Sequence, residues 1–198
     1  MGAIYVSGGF GNLSFKSEGI DNIHNDGFSH DVMYEKTFGA VAFTATADIT
    51  GASGQGDHFA VKVVYTAGPA TFTLAADDSS EADVTFAYAI NDMITASINH
   101  DTDGQGTDSE TIVKVAYSNN GLTAHLALAD DDDDQWELGL GYAANGLSIA
   151  AVFAENDGAT PAGTEADLTA SYDLGGGMSI NAATNESGAW FIGSKMTF

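Results

Sequence analysis

Apolar and polar residues alternate with a period of two along most of the 198-residue chain, the spacing at which successive side chains of a β-strand point to opposite faces. Phe59, Val61, Val63 and Tyr65 oppose Lys62, Val64 and Thr66. Val84, Phe86, Tyr88 and Ile90 oppose Asp83, Thr85, Ala87 and Ala89. Trp136, Leu138, Leu140 and Tyr142 oppose Glu137, Gly139 and Gly141, and Leu168, Ala170, Tyr172 and Leu174 oppose Asp167, Thr169, Ser171 and Asp173. Returning segments match, with Ile94, Ala96 and Ile98 against Thr95, Ser97 and Asn99, and Leu122, Ala124, Leu126 and Leu128 against Thr123 and His125. One face is thus apolar and the other small and polar. About fifteen strands are predicted, with almost no helical pattern.

The connections alternate in length. A first hairpin joins Ala3 to Ser7 with Leu13 to Ser17 across Gly8-Gly9-Phe10-Gly11-Asn12, and a polar loop from Glu18 to His30 leads to strands Val32 to Phe38 and Val41 to Asp48. Long polar connections follow at Thr50 to Asp57, Asp77 to Ala82, His100 to Glu110, Asp130 to Gln135 and Glu155 to Glu165. Short turns fall between them at Gly39-Ala40, Gly68-Pro69, Asn91-Asp92, Asn119-Asn120-Gly121, Asn145-Gly146 and Gly175-Gly176-Gly177. Asn-Gly and Gly-Gly suit tight hairpins because their central residues need positive φ. Before five of the short turns stands a tyrosine on the apolar face: Tyr65, Tyr88, Tyr117, Tyr142 and Tyr172. A soluble sandwich also alternates, with its apolar faces packed inward. Long loops at one end, short turns at the other and an aromatic rim at one height are the features of a membrane-spanning barrel. The last strand, Gly188 to Phe198, fits the same reading: Trp190, Ile192, Ser194, Met196 and Phe198 share one face, opposite Phe191, Gly193, Lys195 and Thr197. The expected fold is all-β, a transmembrane antiparallel up-and-down β-barrel to which about 14–16 strands contribute, in one domain spanning residues 1–198.

Composition narrows this further. Five lysines, no arginine and 28 acidic residues give a formal net charge of −23. Nucleic acid is excluded as a partner, because its binding needs basic groups to displace phosphate counterions. The chain has no cysteine, hence no disulfide framework. No run reaches the ~18–20 apolar residues of a membrane helix, but closed barrels satisfy every backbone group without helices. A mean hydropathy of −0.03 is what strands with every second residue polar produce. Met1-Gly2-Ala3 leads straight into a strand, which points to a mature form or a fragment.

The segments Ile4 to Phe15 (IYVSGGFGNLSF) and Ala170 to Ile180 (ASYDLGGGMSI), with the terminal Phe198, resemble the general diffusion porins of Gram-negative outer membranes, particularly those of alphaproteobacteria (the Rhodobacter type). The resemblance implies a passive, water-filled channel for small hydrophilic solutes and ions, a homotrimer in contact with the bilayer and lipopolysaccharide, and no enzymatic step. It makes Phe198 the mark read by barrel-assembly machinery, and aligns Glu18 to His30, with Asp21, His24, Asp26 and His30, with the porin constriction loop. Two departures stand out. Such porins set arginines on the wall against acids on that loop, and this chain has no arginine. They also carry strands before the IYVSGGFG-like hairpin. An odd count would leave the first and last strands parallel, so the expectation is a chain lacking N-terminal strands of a parent with about sixteen to eighteen.

Candidate chemistry is confined to charged groups. Lys16, Lys62, Lys114, Lys195, Asp48, Asp83, Glu137, Asp167, Asp173 and His125 fall on the polar face and are expected to line the pore, where an excess of acids favours cations. Asp101, Asp103, Asp108 and Glu110 alternate around Gly104 and Gly106 in the manner of a weak calcium loop, but without EF-hand spacing. Asp130 to Asp134 is a run of five aspartates, as in a solvated loop. A metal site from His24, Asp26, His30 and Asp31 lacks regular spacing, and no cofactor is expected. No nucleophile, base and acid constellation supports hydrolysis. The competing reading is a soluble secreted β-sandwich that binds calcium through acidic loops, and a third is a barrel enzyme such as an outer-membrane lipase or protease.

Overall fold

The computed structural model describes residues 3–21, 23, 29–49, 59–78, 81–102, 109–130, 135–156 and 163–197. Among these lie fifteen strands and no helix: β1 (Ile4–Gly8), β2 (Gly11–Asp21), β3 (Ser29–Phe38), β4 (Val41–Ala47), β5 (Phe59–Ala67), β6 (Ala70–Asp77), β7 (Ala82–Ala89), β8 (Ile94–Thr102), β9 (Ser109–Asn119), β10 (Leu122–Asp130), β11 (Trp136–Ala144), β12 (Leu147–Asn156), β13 (Gly163–Gly175), β14 (Met178–Thr184) and β15 (Trp190–Met196). Their order in the sheet is their order in the chain, an up-and-down meander. The chain divides into two compact units, Met1–Tyr88 with Ile98–Thr111, and Ala89–Ser97 with Ile112–Phe198.

In the first unit, antiparallel register from β1 to β7 sorts the side chains into two faces. Val6 pairs with Leu13, Leu13 with Tyr34, Tyr34 with Ala45, Ala45 with Val61, Val61 with Ala76 and Ala76 with Ala82. Two lines further along the same face, Tyr65 pairs with Val41 and Phe72, and Phe72 with Phe86. Large apolar side chains therefore meet across strands, the pairing that stabilises a sheet. In the second unit, Leu126 pairs with Leu138, Leu138 with Phe153 and Phe153 with Ala166, while Tyr142 pairs with Leu122 and Ile149.

The turns explain the short ends. Asn120 and Gly121 have φ of 48° and 81°, and Asn145 and Gly146 have 51° and 80°, the left-handed pair that matches hairpin twist. Gly121 is also where backbones come closest. A Cβ there would collide with the Ala143 carbonyl oxygen, because the Ala143 N–H donates to the Gly121 carbonyl at 2.8 Å.

Two expectations about the N-terminal region are corrected. The first turn is only Gly9-Phe10, with Gly8 paired to Gly11. The connection expected over Glu18 to His30 is shorter, since β2 continues to Asp21 and β3 begins at Ser29. A register shift between Phe15 and Ile20 carries β2 through this polar stretch, absorbing residues whose composition reads as loop.

The apolar face stays uncovered. The only buried hydrophobic residues among those described are Ile20, Ala60 and Ala75, all but Ile20 small. Phe72 is 41% exposed, Tyr65 46%, Leu126 46% and Leu168 46%. A soluble sandwich would pack these side chains inward.

Candidate functional site

The polar face of the first unit is organised in transverse lines of side chains. Asn12, Glu35, Thr44, Lys62, Ala75 and Asp83 follow one another across β2 to β7. Lys62 thus lies two strands from each of two acids, about 10 Å at the backbone, with a small side chain on each neighbouring strand. Asn99 on β8 donates from Nδ2 to Asp83 Oδ1, and to Thr85 Oγ1 at 2.9 Å. The adjacent line is Ser14, Met33, Thr46, Ala60 and Asp77. Ser14, Thr46 and Ala60 are buried, as are Asp31 and Asp48 close by. Asp31 Oδ2 accepts the Ile49 N–H at 3.2 Å. Asp48, expected as an open wall group, is therefore enclosed. Lys16 follows Ser14 along β2, its stem against Gly19 where the register shifts.

The second unit repeats the arrangement. Ala127, Glu137, Ala154 and Glu165 form one line, and His125, Gly139, Val152 and Asp167 the next. The two-residue turn at Asn120-Gly121 puts Lys114 of β9 on this face by alternation. His125 Nε2 lies 2.6 Å from Glu137 Oε1. Nearer the short turns, Asp173, Ser179 and Lys195 are consecutive, and Asp173 Oδ1 accepts the Gly175 N–H at 2.7 Å. The face is not uniformly polar. Val64 and Phe191 lie on it as the alternation placed them, and Met33 and Val152 join them, since each pairs with its polar-face residues.

Of the other expected site residues, Tyr65, Tyr88, Tyr142 and Tyr172 lie on the exposed apolar face beside the short turns, and Tyr117 is half-buried just before Asn120-Gly121. His24, Asp26, Asp103, Asp108 and Phe198 lie outside the described residues. Asp21 ends β2, while Asp101 and Glu110 sit in β8 and β9 rather than in a loop. His30 is completely buried in β3, its ring nitrogens without a hydrogen-bond partner, and among the described residues no group of three metal-ligating side chains gathers.

Two residues of the short-turn rim escaped the sequence reading. Tyr34 donates its hydroxyl to the Phe10 carbonyl at 2.6 Å. Lys36, on the apolar face, donates to the Gly9 carbonyl at 3.1 Å and lies 5.0 Å from the Phe38 ring centroid. Alternation with Val32 and Phe38 was the available signal, but a lysine breaks the apolar series between Tyr34 and the turn.

No family model matches the chain, and no curated protein does. Solved structures do match. A variant of the Rhodopseudomonas blastica porin carrying three substitutions superposes with a TM-score of 0.68 at 16% identity, over 99% of this chain and 88% of that one. A second triple variant of the same porin gives 0.66 at 17% identity with the same coverage. The chain has the porin fold. A third match, described under the words asymmetric conductivity of engineered proteins, gives 0.67 at 16% identity, again over 99% and 88%. At these identities the likeness is one of fold: an antiparallel, up-and-down porin-type β-barrel. In that fold the long and short connections define two ends and the alternating strands define two faces, which is the frame in which the charged lines above are ordered.

Proposed function

We propose that the chain forms a water-filled channel in a bacterial outer membrane, admitting small hydrophilic solutes and ions passively, with a mild preference for cations. The observation that carries this reading is the exposed apolar face. Large apolar side chains stand uncovered along β5 to β7 and β10 to β15, and only an apolar medium satisfies such a surface while the backbone groups are paired between strands. The opposite face then borders water. Its acids, Glu35, Asp83, Glu137, Glu165, Asp167 and Asp173, outnumber Lys16, Lys62, Lys114 and Lys195, and wall charge biases which ions pass.

The porin fold supports a homotrimer in contact with lipopolysaccharide, and a constriction formed near the β2–β3 connection. Supporting the constriction is the burial of Ser14, Asp31, Thr46 and Asp48 on the polar face, since a wall bordering only open water would leave them accessible. Calcium held by acidic residues at the long-connection end belongs to the same reading, as counterion rather than cofactor. No catalytic step enters.

Insertion into a planar bilayer tests the channel. Stepwise, ohmic conductance is expected, with a reversal potential in a potassium chloride gradient on the cation side. A chain that enters the bilayer but never conducts sinks the channel reading, and an anion-side potential sinks the cation preference. Cross-linking in native membranes, read as a trimer band that collapses on heating, tests the assembly.

A further inference from the structure

On the polar face of β11, glycine alternates with leucine and tyrosine at Gly139 and Gly141, and each glycine receives a side chain from β10. Gly139 is paired with His125, and a Cβ built on it would lie within 2.8 Å of Cε1, Nδ1 and Nε2 of the imidazole. Gly141 is paired with Thr123, whose Oγ1 occupies the space its Cβ would take. The His125 ring therefore lies over the backbone of its neighbour instead of standing away from the sheet. In that posture Nε2 reaches Glu137 Oε1 at 2.6 Å, two residues along the same strand. Glycine in a strand interior weakens it through entropy and lost packing, and marks a close approach of another group. Gly139 is buried although it carries no side chain, because the imidazole covers it.

We propose that Gly139 is a seat that holds His125 flat against the channel wall, clamped by Glu137, and that this posture sets the local width and charge of the lumen. The proposal rests on the channel reading above and deepens it by naming the residues that control passage at this point of the wall. With the seat filled, the imidazole has to rotate off the sheet into the lumen and Glu137 is released as an unshared carboxylate. A strand-wide effect of replacing glycine would act equally at Gly141, where Thr123 is seated instead of a ring.

The test compares wild type, Gly139→Ala, Gly141→Ala, His125→Ala and the double variant His125→Ala/Gly139→Ala. Single-channel conductance is expected to fall in Gly139→Ala and to return in the double variant to the level of His125→Ala. In detergent, carbethoxylation of His125 by diethylpyrocarbonate, mapped by mass spectrometry, is expected to be several-fold faster in Gly139→Ala and unchanged in Gly141→Ala. Equal reactivity in wild type and Gly139→Ala overturns the proposal, as does an equal rise in both glycine variants. A Gly139→Ala channel of wild-type conductance overturns the claim on lumen width. Wild-type protein that does not conduct removes the channel reading by itself, while the reactivity comparison still decides whether the glycine seats the ring.

Discussion

The hydroxyl of Tyr34 donates to the backbone carbonyl of Phe10 at 2.6 Å, tying the β1–β2 turn to the neighbouring strand β3. Lys36 fastens the same turn through the Gly9 carbonyl at 3.1 Å, with its ammonium over the Phe38 ring at 5.0 Å from the centroid, a cation held against an aromatic face. Removing the hydroxyl with Tyr34→Phe leaves the ring and its tilted contact with Phe43, at 6.2 Å between centroids, in place. One exposed hydrogen bond is worth about 1 kcal/mol. A lowered urea midpoint of the variant in detergent micelles, with faster proteolysis at Gly9-Phe10, is the expected outcome, and an unchanged midpoint would show that the turn holds itself.

Gly121 and Gly39 both have positive φ, 81° and 63°, yet they should not respond alike to alanine. At Gly39 nothing lies within 4 Å of the added methyl, so the cost is the left-handed backbone alone, about 1–2 kcal/mol. At Gly121 the methyl meets the Ala143 carbonyl oxygen, so the hairpin has to open as well. Gly121→Ala is expected to lower the unfolding midpoint clearly more than Gly39→Ala. Equal losses would mean that the β10–β11 backbones are not in the described contact.

How much of this was readable beforehand depends on the range of the interaction involved. Alternation is a local property, so the faces of β5, β7, β11 and β13 followed directly from residues such as Phe59 to Tyr65, and Asn145-Gly146 announced its own turn. The extension of β2 to Asp21 was hidden because Glu18, Gly19 and Asp21 have the composition of a loop, and only pairing with β3 through a shifted register keeps this stretch in the sheet. The contact of His125 with Glu137 was hidden for a related reason. Both residues were assigned to the polar face, but their meeting depends on Leu126 pairing with Leu138 and on a glycine at position 139. Burial of Asp48 likewise reflects what covers a face, which alternation does not encode.

If wall charge governs permeation, then the sign of a substitution should decide the direction of the change. Asp167 is exposed on the polar face, opposite Val152, and Lys62 stands between Glu35 and Asp83 along its line. Asp167→Asn is expected to move the reversal potential toward anions, and Lys62→Gln to move it toward cations, both more strongly at low salt because screening shortens the reach of the charge. Shifts of the same sign for both variants would place selectivity elsewhere than on these lines.

Leu140 and Thr169 test which face meets which medium. Leu140 is exposed on the apolar face, paired with Ala124 and Ala151. Thr169 lies on the polar face between Ala150 and Ala183. Small neighbours flank both positions, so arginine fits sterically at either and the difference reports the surroundings. In a bilayer, arginine on the lipid side near mid-strand costs about 2–4 kcal/mol, whereas on the lumen side it alters selectivity with little loss of stability. Leu140→Arg is therefore expected to fold poorly in lipid vesicles and to lower the unfolding midpoint there. Thr169→Arg should fold as wild type does and shift the reversal potential toward anions. The reverse outcome, a tolerated arginine at 140 and a damaging one at 169, would mean that the apolar face is the wetted one, and the channel reading would fall with it.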